Sequence, residues 1–153
     1  MRGSQWGDSA TAGFTIFEAV MVILIVFVVV ASLIPRVSTT LAHSRVNRAA
    51  YVIASDFLYT QSLAARQHAP VSIQVLSDSL LVRITNVASG KTLRTDYFDK
   101  ASAFQLAALS AAPTSVQVMP NGTATAAIVV TVGGADWYHL VRMTQAGQIR
   151  ITR

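Results

Sequence analysis

Residues 13–35 read GFTIFEAVMVILIVFVVVASLIP, from Gly13 to Pro35. Between Phe14 and Ile34 the one charge is Glu18. Wound as a helix at about 1.5 Å per residue, this run is roughly 30 Å long, the thickness of a bilayer's hydrocarbon core. A carboxylate there costs about 2.5–3.5 kcal/mol at mid-bilayer and less near the interface. A chain that keeps Glu18 in such a place has a use for it. Upstream the residues turn short and polar, as in Ser9-Ala10-Thr11-Ala12.

Downstream, helical periodicity continues over residues 36–67. Val46, Ala50, Ile53, Phe57 and Ala64 form an apolar stripe, with Arg45, Arg48, Ser55, Asp56 and Gln67 placed off it. No Gly or Pro interrupts the pattern until Pro70, before which the helix must end. One long helix is therefore expected from about Phe14 to about Arg66. Pro35 is expected to kink it by removing a backbone hydrogen bond and crowding the carbonyl of Ala31.

Beyond Pro70 the pattern changes to short strands: Val71–Val75, Leu80–Thr85, Thr92–Phe98, Val116–Met119, Ile128–Val132, Tyr138–Thr144 and Gln148–Thr152. Turn signals separate them at Ser89-Gly90-Lys91, Pro120-Asn121-Gly122, Gly133-Gly134 and Ala146-Gly147. Short strands joined by such turns imply antiparallel sheet. The Ala- and Ser-rich segment 101–114 is not placed by pattern. In the last hairpin, a loop of Gln145-Ala146-Gly147 with Gly147 left-handed puts Met143 opposite Ile149, Arg142 opposite Arg150 and Val141 opposite Ile151. Apolar residues then share one face and polar residues the other, and a one-residue slip would mix them.

The chain has 153 residues, room for one membrane helix and one small domain. Charged residues are only 12% against 52% hydrophobic, a balance set by the apolar run. The absence of cysteine excludes a disulfide scaffold and thiol chemistry. His43, His68 and His139 lack metal-ligand spacing. Asp96 and Asp99, three apart on a strand, make a poor carboxylate pair, and no phosphate loop or Gly-x-Ser-x-Gly elbow is present. Nothing implies an enzyme, a metal or a cofactor. Net charge is +5, and from Arg36 onward eleven Lys or Arg stand against five Asp. This excess suits anionic partners, such as lipid headgroups, DNA or acidic protein faces, or simply keeps a surface soluble. Trp137 and Tyr138 are read as sheet packing rather than membrane-interface anchors.

The spacing of Gly13, Phe14, Thr15, Glu18 and Pro35 resembles the type IV prepilin signal. Val118-Met119-Pro120-Asn121-Gly122 followed by Gly147-Gln148-Ile149-Arg150-Ile151 resembles the C-terminal part of GspH/FimT-type minor pseudopilins. The resemblance implies an α+β fold, a long helix packed on two antiparallel sheets. It divides the chain into a leader (1–13), a transmembrane and assembly helix (14–35), an amphipathic half-helix (36–67) and an antiparallel β domain (68–153). It also implies cleavage between Gly13 and Phe14 by a prepilin peptidase, N-methylation of Phe14, and pairing of Glu18 with a neighbouring subunit's amine. Pilin or pseudopilin subunits would be the partners, in a type II secretion or type IV pilus filament. The protein would sit in the bacterial inner membrane as a single pass with its C-terminal domain exported. Counting only flanking Lys and Arg gives the opposite orientation, since Arg36, Arg45 and Arg48 follow the apolar run. The five-position motif outweighs that bias. Two other functions fit the residues: a minor pilin that binds DNA through Arg142, Arg150 and Arg153, and a monomeric signal-anchored binding domain.

Overall fold

The computed structural model describes residues 15–134 and 137–152; within its helix, the side chains of residues 32–39 lie outside the description. The chain divides into two compact units, Met1–Ser38 and Thr39–Arg153. Helix α1 (Ile16–Gln67) contributes to both.

In the first unit α1 presents apolar side chains on every side. Ile16, Ile23 and Phe27 are 86%, 68% and 73% exposed, with no polar face between them. Among the described residues no helix is long and apolar enough to cross a membrane. Described side chains of the apolar run stop at Ala31, whereas the sequence carries it on to Ile34. The bend expected at Pro35 falls among the side chains outside the description.

In the second unit α1 is one-sided, and the stripe read from the sequence is the buried one. Val46, Ala50, Ile53, Phe57 and Ala64 all lie in the core. The helix ends in a Schellman motif. His68 takes a left-handed φ of 48°, its N–H donates to the carbonyl of Ala65, and Ala69 N–H donates to Ala64. Pro70 then closes the helix off.

Two four-stranded antiparallel sheets follow. The first has the order β3-β2-β1-β5, from β1 (Val71–Leu76), β2 (Leu81–Asn86), β3 (Thr92–Tyr97) and β5 (Ser115–Val118). The second has the order β4-β6-β7-β8, from β4 (Ala108–Ala112), β6 (Ile128–Gly133), β7 (Tyr138–Met143) and β8 (Ile149–Thr152). Alternation supplies the core: Val71, Ile73 and Val75 of β1, Val130 and Val132 of β6, and Val141 and Met143 of β7 are buried.

One unplaced segment is resolved and one expectation is corrected. Segment 101–114 contains β4, which pairs with β6 from Ala108↔Gly133 to Ala112↔Val129. Its sequence, ALSAA, has little intrinsic strand preference, so the neighbouring strand specifies it. Asp56, read as lying off the apolar stripe, is fully buried, as is Thr60. Residues 49, 53, 56, 60 and 64 follow one helical face, so position placed Asp56 inward and only its charge suggested otherwise.

Candidate functional site

Thr15 stands immediately before the first residue of α1. Its side-chain Oγ1 accepts a hydrogen bond from Glu18 N–H at 3.2 Å, and its carbonyl accepts the first helical bond from Ala19 N–H at 3.1 Å. Thr15 is thus the N-cap and Glu18 the third helical residue, the Thr-x-x-Glu spacing of a capping box. That spacing stands in the sequence and assigns Thr15 a structural duty that the prepilin resemblance alone did not. Glu18 is exposed in the first turn, where the helix dipole favours a carboxylate. Gly13 and Phe14 lie outside the described residues.

At the other end of the chain the hairpin forms in the register expected: Val141↔Ile151, Arg142↔Arg150 and Met143↔Ile149. Gly147 has a φ of 80°, its N–H donates to the Thr144 carbonyl, and Thr144 N–H donates to Gln148. Val141 and Met143 are buried, with Ile149 and Ile151 packed against the core. Arg142 and Arg150 are exposed and directly opposed on the outer face, an arrangement that disfavours the sheet by about 0.2–1 kcal/mol unless an anion offsets it. Arg153 lies outside the described residues.

The two C-terminal motifs meet in space. A Cβ on Gly147 would strike the carbonyl oxygen of Gly122 and stand 2.9 Å from Nε2 of Gln61. Ala124 N–H donates to Gln145 at 2.8 Å, and Gln61 Nε2 donates to the Gly147 carbonyl at 2.7 Å. Glycine is therefore required at 147 by both backbone conformation and close approach, and this contact fastens the hairpin to α1.

A cleft of about 560 Å³ opens between α1 and the β7–β8 side, lined by His43, Asn47, Tyr51, Trp137, His139 and Thr152. Trp137 stacks on His43 at 4.4 Å and its Nε1–H donates to His139 Nε2 at 3.4 Å. Trp137 thus packs within the domain as expected, whereas Tyr138 is 58% exposed. Sequence separation hid the convergence of the two histidines on Trp137. Among the described residues no cluster of His, Cys, Asp or Glu could hold a metal ion.

Comparison with solved structures identifies the architecture. The type IV minor pilin FimU of Pseudomonas aeruginosa PAO1 matches in one crystal form with a TM-score of 0.58 at 21% identity, over 72% of this chain and 90% of that one. A second crystal form matches with a TM-score of 0.55 at 22% identity, over 70% and 92%. The minor pseudopilin EpsH from the type 2 secretion system of Vibrio cholerae matches with a TM-score of 0.55 at 14% identity, over 71% and 96%. No protein-family model matches the chain, and no curated protein matches it in sequence. The fold is therefore α+β and pilin-like, as the GspH/FimT-type resemblance implied.

Proposed function

We propose that this chain, which has the fold of minor pilins and minor pseudopilins, is a non-catalytic filament subunit of a type IV pilus or a type II secretion system. The observation that carries the reading is the all-round exposed apolar surface of α1 between Ile16 and Val30. A helix face of that extent requires lipid or other helices around it. Residues 14–35 would hold the subunit in the inner membrane until assembly, with the C-terminal domain exported.

Cleavage after Gly13 by a prepilin peptidase would leave a new amine on Phe14, to be N-methylated. Placed at the positive end of the helix dipole and in an apolar layer, such an amine would be costly unless paired. Glu18 of a neighbouring subunit supplies the opposite charge and so sets the docking register. Capping by Thr15 fixes the first turn that carries Glu18.

The test is site-specific crosslinking of the full-length protein to filament subunits in membranes. Glu18→Ala is expected to insert normally, because a costly charge is removed, and to lose crosslinks. Crosslinking of Glu18→Ala at the wild-type level contradicts the pairing. A wild-type chain that never crosslinks supports the monomeric signal-anchored domain instead.

The opposed Arg142 and Arg150 favour a second role for the same subunit, an anion-binding face for a DNA backbone or an acidic partner. Binding of duplex DNA should weaken with salt, and Arg142→Glu with Arg150→Glu should lower the salt slope by about two phosphate contacts. An unchanged affinity and slope would leave these arginines as solvated surface.

A further inference from the structure

Asp56 lies on α1 with 0% exposure, and neither carboxylate oxygen has a hydrogen-bond donor. Its neighbours come from β3, the edge strand of the first sheet. Arg94 Nη2 stands 3.4 Å from Asp56 Oδ1, but Arg94 Nε donates to Asp96 Oδ2 at 2.6 Å. The guanidinium also lies over the ring of Tyr59, one turn along α1, at 5.5 Å. The arginine is therefore committed to Asp96 and to the aromatic face. As an anion, Asp56 would be two buried acceptors without a donor, a costly state in a low-dielectric interior. With a proton, the same side chain becomes a donor, and Asp96, held on the same guanidinium, offers a carboxylate acceptor.

We propose that Asp56 carries a proton in the folded domain, directed at the Asp96 carboxylate, and that this proton latches edge strand β3 to helix α1 and releases it as pH rises. Burial is the largest influence and pushes the Asp56 carboxyl up to about 8 from the usual 3.8. The Asp96 charge and the hydrogen bond to Asp96 act in the same direction, and Arg94 opposes them. Arg94 is itself held charged, first by its hydrogen bond to Asp96. These are the charged groups that act on Asp56 from α1 and β3.

Sign follows from linkage. The folded value exceeds the unfolded one, so the stability from Asp56 is fully present below about 3.8 and is lost as pH rises through about 8. Between those limits, this group raises the unfolding equilibrium constant about tenfold per pH unit. Asparagine mimics the protonated acid, so Asp56→Asn keeps the donor and removes the titration.

The experiment compares unfolding of the full-length wild-type and Asp56→Asn chains in detergent micelles from pH 4.5 to 7.5. The ratio of their unfolding constants should grow about tenfold per pH unit, in favour of the variant. Amide exchange in β3, corrected for intrinsic rates, should accelerate with pH in the wild type and not in the variant. A ratio that stays flat overturns the proposal. Carboxyl carbon NMR of the wild-type chain gives a reading independent of the variant's folding. An Asp56 resonance titrating near neutrality or above supports the latch, and one titrating in the ordinary carboxylate range overturns it.

Discussion

The two halves of helix α1 obey different rules. From Ile16 to Ala31 it is apolar on every side apart from Glu18, and exposed; from Val46 to Ala64 it is apolar on one stripe, and that stripe lies in the core with residues of both sheets. Backbone and hydrogen bonding are the same in both. The second half packs its stripe into the domain core, while the large apolar side chains of the first half are exposed. The difference teaches that one element can specify a domain with one half and carry an exposed apolar surface on the other.

The comparison is broken most forcefully by truncating the core side. Phe57→Ala should destabilise the domain by about 3–5 kcal/mol, because a fully buried ring leaves a cavity behind it. Ile23→Ala, equally apolar but 68% exposed, should leave domain unfolding within about 0.5 kcal/mol of wild type. Chemical denaturation of the full-length chain in micelles checks both. Comparable losses from the two would erase the distinction.

Smaller effects sharpen it. Gly147→Ala should cost at least about 1–2 kcal/mol from its left-handed backbone, with the clash against Gly122 added. It should also loosen the hairpin from Gln61, read as faster amide exchange in β8. Thr15→Ala should cost about 1 kcal/mol of first-turn stability by removing the N-cap. That loss should appear as fraying at Glu18 in exchange measurements, with the β domain unaffected. His68→Gly should stabilise the domain by about 0.5–1 kcal/mol, since glycine takes the left-handed position at the helix end without a side-chain penalty. Thermal unfolding detects the Gly147 and His68 effects in the direction stated.

Much of this architecture was legible in the sequence because it is periodic. The stripe from Val46 to Ala64, the alternation in β1 and β7, and the register of the last hairpin all follow from local rules. Strand β4 was not legible, because Ala-Leu-Ser-Ala-Ala becomes a strand only through its pairing with β6. Asp56 was misplaced because its charge argued for water while its position argued for the core; the groups beside it, Arg94 and Asp96, are both remote in sequence. Of the candidate sites, the Thr15–Glu18 cap and the opposed arginines were readable from spacing. The His43–Trp137–His139 cluster was not, since it depends on α1 meeting β7.

Whether the first half of α1 is an assembly element is tested most directly by the mass of the membrane-extracted protein. Processing between Gly13 and Phe14, with a methylated Phe14 amine and loss of cleavage in Gly13→Val, is the expected result. A mature chain beginning downstream of Ser32, or one that retains residues 1–13 in membranes with an active prepilin peptidase, would contradict it.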